Sequence, residues 1–198
     1  MPFGDKWRHH GADYWDAMAE RCADLPMNEL LAAEVVSRKS VIEIGCGAGH
    51  LARMLIAAGF SGRYWGCDIS RAAVLAAQQR LGAAATFEAG QFEVLSAAHR
   101  VPSAEVVVAR SVIQHQKHWF PMVATALRHA PRVVLGISRS IYFKESGEHE
   151  VTDRGSWFDV RISLEAMDRE ANDAALSCSF TRAEGSRGPE VVIAITSK

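Results

Sequence analysis

Long apolar runs are missing from this chain. None reaches the roughly 18 residues that a membrane-crossing helix needs, and no basic segment followed by an apolar one opens the sequence, so the expectation is a chain that neither crosses a membrane nor is exported, with the cytoplasm as its compartment. Cysteine is scarce: Cys22, Cys46, Cys67 and Cys178 form no CxxC pair and no Cys/His spacing of the kind that closes a zinc tetrahedron. The histidines contain no HExxH pair. His115 and His118 stand three apart, but no further ligands can be named for them, so no metal site is expected. A dominant charge is also lacking. The formal net charge of -1 provides no broad positive field for tracking a phosphate backbone, which disfavours DNA or structured RNA as a partner. Internal repeats and low-complexity tracts are absent as well.

What is there is globular. Hydrophobic residues at 48% and charged residues at 23% of 198 positions suit one domain, residues 1–198, with a buried core. Helical spacing over Tyr14 to Cys22 and Leu30 to Val36 predicts two N-terminal helices, with Pro26 and Asn28 marking a break between them. A short apolar run, Val41 to Ile44, ends in a glycine cluster and is followed by the helical stretch Leu51 to Ala58: strand, tight loop, helix. The pattern repeats with a strand at Tyr64 to Asp68, Ser70 as N-cap and a helix over Ala72 to Leu81. A weaker strand at Thr86 to Glu88, a short segment at Phe92 to Ala98, a valine-rich central strand at Glu105 to Ala109, a helix at Phe120 to His129 and a strand at Arg132 to Ile137 follow. From Ser138 to Arg161 the chain is polar without clear periodicity and reads as a long, functional loop. Ser163 then caps a helix running to Leu176, and Ser179 to Ala183 with Val191 to Thr196 read as an antiparallel hairpin. Alternating β and α ending in a hairpin implies a mostly parallel sheet with one reversed strand.

The most informative segment is Val41-Ile42-Glu43-Ile44-Gly45-Cys46-Gly47-Ala48-Gly49. Glycines after a first strand permit a tight turn and let a ligand approach the backbone, and the helix that follows offers free N–H groups. The spacing is Gly-x-Gly-x-Gly. The dinucleotide fingerprint needs a glycine where His50 stands, which disfavours a nicotinamide cofactor. Asp68 ends the next strand, where an acidic side chain can accept hydrogen bonds from two ribose hydroxyls.

With these two signals the sequence closely resembles the class I S-adenosylmethionine-dependent methyltransferases. Glu43, Gly45, Gly47 and Gly49 match the first motif of that family and Asp68 its second acidic motif. The resemblance extends from about residue 28 to the end. It implies a Rossmann-like three-layer α/β/α sandwich, with a mostly parallel seven-stranded sheet and an antiparallel C-terminal strand, and S-adenosyl-L-methionine as cofactor. It further implies that Gly45 and Gly47, with Cys46 between them, pass under the methionine and ribose. Glu43 would hold the loop and the amino end, and Asp68, with Ile69 beside it, would grip the ribose. Gln91 and Phe92 would meet the adenine, with Gln91 in place of the commoner aspartate. Ala109, Arg110 and the segment up to His115 would line the sulfonium end.

Plainer readings stand beside these. Asp68 can simply cap the following helix, Glu43 can be a buried structural acid, Gly49 can serve helix-to-strand packing, and Phe92 can be core. His115 is the candidate catalytic residue, since neutral imidazole can take a proton from a hydroxyl or amine; its bland alternative is to position a helix. The acceptor is expected to be a small planar or anionic molecule met by Tyr14, Arg139, Tyr142 and Trp157, although charges on a loop are usually solvated. Trp7, Tyr14 and Trp15, within the N-terminal helices of residues 1–39, are placed to fold over the cofactor as a lid, although packing is the commoner use of such residues. Methylation of a small molecule at oxygen or nitrogen is the leading expectation. RNA or protein methylation, and a non-catalytic module that binds S-adenosylmethionine, are the alternatives. The acceptor's identity and the oligomeric state are not written in the sequence.

Overall fold

Side chains along the strand Val106–Arg110 alternate between two buried layers: Val106 and Val108 join one core, Val107 and Ala109 the other. A strand buried on both faces belongs at the centre of a sheet covered by helices on each side. The computed structural model, which describes residues 7, 9–21, 26–138, 140–155, 158–185 and 188–198, has this arrangement. In chain order the elements are α1 (Ala12–Arg21), α2 (Pro26–Val35), β1 (Ser40–Ile44), α3 (His50–Ala57), β2 (Arg63–Asp68), α4 (Arg71–Leu81), β3 (Thr86–Ala89), α5 (Phe92–Ala97), β4 (Val106–Arg110), α6 (Phe120–Ala126), β5 (Arg132–Ile137), β6 (Phe143–Lys144), β7 (Glu150–Asp153), β8 (Phe158–Ser163), α7 (Leu164–Asp173), β9 (Leu176–Gly185) and β10 (Gly188–Ser197).

Seven strands form one sheet in the order β3-β2-β1-β4-β5-β10-β9. All neighbours pair in parallel except β10, which runs antiparallel to both β5 and β9. One core lies between the sheet and α2, α3 and α4, through Leu31, Leu51 and Ala77. The other lies under α5, α6 and α7, through Leu95, Met122 and Met167. This is the Rossmann-like three-layer sandwich with one reversed strand that the sequence implied.

Local chemistry explains the boundaries. Ser70 and Ser163 cap α4 and α7, their hydroxyls accepting from the amides of Ala73 and Ala166. Pro26 does not break the helical pattern but opens α2, because its fixed φ and missing N–H suit the first helical position. The next amide in α2, that of Met27, donates to the fully buried carboxylate of Glu190 on β10 at 2.8 Å and so anchors the helix to the sheet.

The stretch expected to be a loop is structured. It folds as a second sheet in the order β6-β8-β7. Val160 and Ile162 of β8 point into the core while Arg161 faces out, so one face is buried. All four residues of β7 are exposed, and this removes the alternation by which a strand is recognised in sequence.

Candidate functional site

Strand order reverses between β1 and β4, whose neighbours lie on opposite sides, and open α/β sheets bind ligands outside the carboxyl ends of the strands at such a point. A cavity of about 430 Å³ opens there.

Its floor is the loop after β1. Gly45 and Gly47 hold φ values of +72° and +51°, in the left-handed region. A Cβ on Gly45 would come within 2.4 Å of Val112 Cγ2, so only glycine permits this approach to the segment after β4. The amides of Gly45 and Cys46 both donate to the Cys67 carbonyl, tying the loop to β2. Asp68 completes the tie: Oδ2 accepts from the Gly47 amide at 3.0 Å and Oδ1 from the Ser70 amide at 2.8 Å. Burial raises the Asp68 carboxyl above its ordinary value, and those two amide bonds oppose the shift. Each carboxylate oxygen keeps a further lone pair for a ligand.

Beyond β4 the chain turns sharply. Ser111 adopts φ +55°, rare for a residue with a side chain, and its hydroxyl meets that of Ser138 at 3.1 Å. Gln114 and His115 follow in a short 3-10 turn. The Gln114 side chain is buried, and its Oε1 has no hydrogen-bond partner among the described residues although the residue lines the cavity. His115 Nδ1 lies 3.3 Å from the Phe158 carbonyl and 3.6 Å from Asp159 Oδ1. Aromatic rings close the far side: Trp7 and Tyr142 stand 5.1 and 5.8 Å from the His115 ring, and Tyr14 stacks on His10 at 3.6 Å.

These residues suit S-adenosylmethionine. Gly47 leaves bare backbone beneath Trp15, whose ring carbons begin 3.5 Å from where a Cβ would stand. Asp68 and Gln114 both line the cavity, and the carboxylate of Asp68 offers acceptor lone pairs to a ribose hydroxyl. The volume lies in the ordinary range for cofactor sites.

Residues 42–134 match the methyltransferase domain family. That stretch is a little under half of the chain, and over it the chain is similar to methyltransferase domains. No curated protein sequence matches it significantly. Among solved structures, the chain is similar to Burkholderia thailandensis 1,6-didemethyltoxoflavin-N1-methyltransferase with bound 1,6-didemethyltoxoflavin and S-adenosylhomocysteine, at 16% identity and TM-score 0.70 over 94% of this chain and 83% of that one. Synechocystis magnesium protoporphyrin IX methyltransferase with bound S-adenosylmethionine is 17% identical, with TM-score 0.60 over 94% and 79%. The glycopeptide N-methyltransferase MtfA is 14% identical, with TM-score 0.66 over 86% and 94%. At these identities the likeness is one of fold.

Of the residues singled out in the sequence, Gly45, Cys46, Gly47, Asp68, Ile69, Gln91, Phe92, Arg110, His115, Tyr14 and Tyr142 line the cavity. Glu43, Gly49 and Ala109 do not. Glu43 is buried and accepts from the Tyr64 hydroxyl; burial pushes its carboxyl up to about 7 against the pull of Arg110 and of the Tyr64 bond. Gly49 faces Leu81, Ala77 and Phe87, which is the packing role weighed for it. Ala109 is fully buried in β4. Arg139 and Trp157 lie outside the described residues.

Gln114, Ser138 and Asp159 also line the cavity; none is singled out by the sequence, though Gln114 lies in the segment after β4 and the other two in the stretch 138–161 that the sequence marks as functional. Asp159 carried no signal because its strand had been read as loop. Gln114 sat beside His115 in a segment already marked, and its burial was not legible. No helix of the described residues is long and apolar enough to cross a membrane.

Proposed function

We propose that this methyltransferase moves the methyl group of S-adenosylmethionine to an oxygen or nitrogen of a small, planar acceptor. The observation that carries this reading is the aromatic end of the cavity, where Trp7 and Tyr142 flank His115 and Tyr14 also lines the wall. Flat rings favour offset or edge-on partners, and such pairs contribute roughly 0.5–1.5 kcal/mol each beyond burial. The toxoflavin-precursor and porphyrin enzymes similar in fold are named for planar small molecules, which supports the class of acceptor.

In this reading Asp68 accepts from the ribose hydroxyls, Gln91 and Phe92 meet the adenine, and Gly45, Cys46, Gly47, Ile69 and Arg110 line the rest of the cofactor's path. Glu43, Gly49 and Ala109 act from behind the surface, by holding the loop and strand that carry the contacts. The bound cofactor supplies an electrophilic methyl carbon on a sulfonium. The protein holds the acceptor's lone pair in line with that carbon, and alignment with exclusion of water is worth on the order of 7–11 kcal/mol in well-oriented systems. His115 receives the acceptor's proton, a contribution of roughly 10²–10⁴-fold.

Incubation with S-adenosylmethionine and a panel of phenolic, enolic and heterocyclic N–H acceptors, read as S-adenosylhomocysteine release, tests the proposal. Release with planar acceptors is the expected result. Turnover only with RNA or protein would replace the acceptor class, and cofactor binding without turnover on any panel would favour a non-catalytic module.

A further inference from the structure

We propose that Asp159 is a positioning residue for His115, fixing which imidazole nitrogen carries the proton and stabilising the ring once it is charged. The inference rests on the role of His115 given above and adds a residue that the sequence did not offer.

Two consecutive residues of β8 face one ring nitrogen. His115 Nδ1 is 3.3 Å from the Phe158 carbonyl oxygen and 3.6 Å from Asp159 Oδ1. A carbonyl and an ionised carboxylate are acceptors only, so the neutral ring satisfies both by carrying its hydrogen on Nδ1. Nε2 is then left with a lone pair, which is the state a general base requires. At 3.6 Å the carboxylate contact is electrostatic rather than a hydrogen bond; catalytic contacts of this kind are often long before ligands bind. The two rings beside His115, Trp7 and Tyr142, bring it no charge near neutral pH.

Arg154 moderates the pair. Its Nε lies 3.0 Å from Asp159 Oδ2, so the carboxylate is shared between a half-exposed guanidinium and the imidazole. Lys117 stands over the Phe158 ring at 5.8 Å. Among the described residues, Asp159 is a charged group in contact with the imidazole, and Arg154 and Lys117 touch Asp159 and Phe158 respectively.

During transfer the acceptor's O–H or N–H bond breaks and its proton goes to Nε2. The acceptor's electron pair bonds the methyl carbon, and the electrons of the broken C–S bond stay on sulfur. Asp159 balances the resulting imidazolium until the proton leaves to water. Because Asp159 and the Phe158 carbonyl share one strand, the small sheet β6-β8-β7 is the scaffold of the base.

The test is long-range ¹H–¹⁵N NMR of the His115 ring in the cofactor-free protein, assigned with His115→Gln. The parent is expected to show the Nδ1–H tautomer. Asp159→Asn should move the ring's titration to lower pH, by on the order of one unit, Arg154→Ala should move it to higher pH, and Asp159→Glu should restore the parent's behaviour. With an acceptor in hand, Asp159→Asn should lower kcat and leave KM for the cofactor unchanged. An Nε2–H tautomer in the parent, or identical titrations in the parent and Asp159→Asn, would overturn the proposal. Calorimetry with S-adenosylhomocysteine on the same samples separates the two levels: if the parent binds none, the function proposed above fails whatever the ring does.

Discussion

The Gly47 amide donates to Asp68 Oδ2 at 3.0 Å, so the carboxylate that ends β2 holds the loop that ends β1. Asp68 also accepts from the Ser70 amide beside the start of α4. Asp68 thus ties the loop after β1 to the turn leading into α4, whose N-cap is Ser70. Asp68→Ala is expected to weaken S-adenosylhomocysteine binding by about 1.5–3 kcal/mol, the usual worth of hydrogen bonds to a charged group, and to lower the melting temperature because two buried amides lose their acceptor. Calorimetry and thermal melts on the folded variant check both effects. Parent-like affinity would remove Asp68 from the cofactor site.

Gly49 and Gly59 both lie at positive φ, +79° and +94°, but their surroundings differ. A Cβ on Gly49 would meet Leu81 Cδ1 at 3.0 Å and Ala77 Cβ at 3.1 Å, while one on Gly59 would meet nothing within 4 Å. Gly59→Ala should cost about 1–2 kcal/mol, the left-handed strain alone. Gly49→Ala should cost about 1–3 kcal/mol more, through overpacking. Urea unfolding of the two variants measures the difference, and equal losses would show that the contact between α3 and α4 is not tight.

Glu43 and His50 titrate in opposite senses. Between the ordinary carboxyl value of 4.5 and about 7, folded Glu43 keeps a proton that the unfolded chain has released. Its contribution to stability is therefore complete below pH 4.5 and is lost as pH rises through about 7, to a total of about 3 kcal/mol. Burial, with Arg110, Arg80 and Arg53, holds the His50 imidazole down at about 4, against 6.5 unperturbed. Its contribution is present above pH 6.5 and is lost as pH falls toward 4. The two slopes oppose each other over most of that window. Glu43→Gln keeps an acceptor for Tyr64 and removes only the first slope, so stability should rise with pH between 4.5 and 6.5 more steeply than in the parent. Melts across that range test this, and identical slopes would mean that Glu43 is ionised in the folded protein.

His115→Ala is expected to leave S-adenosylhomocysteine affinity nearly unchanged, since no cofactor contact is assigned to it. Turnover should fall by about 10²–10⁴-fold if His115 is the base, and by less, partly in KM, if it only orients the acceptor. Full turnover would remove it from the chemistry.

The parallel sheet was legible because its strands are short apolar runs bounded by glycine, aspartate and capping serines, and the valine-rich run Glu105 to Ala109 suits a buried central strand. The glycine-lined side of the cavity was legible for a related reason: it is built from backbone at strand ends, and backbone needs leave glycines. The side around His115 was not. It draws on β8, whose short alternation over residues 159–162 gains meaning only once the surrounding polar stretch is seen to fold as a sheet, and on a side chain, Gln114, whose significance lies in its burial. Neither property is local to the sequence. Glu43 is buried behind the loop, where its side chain turns to Tyr64.

The central claim, that the crevice between β1 and β4 is an S-adenosylmethionine site, is tested most directly by titrating the purified protein calorimetrically with S-adenosylhomocysteine and, separately, with NAD. One saturable site for S-adenosylhomocysteine, weakened in Asp68→Ala, with NAD far weaker, is the expected result. Tight NAD binding with no heat from S-adenosylhomocysteine would contradict it.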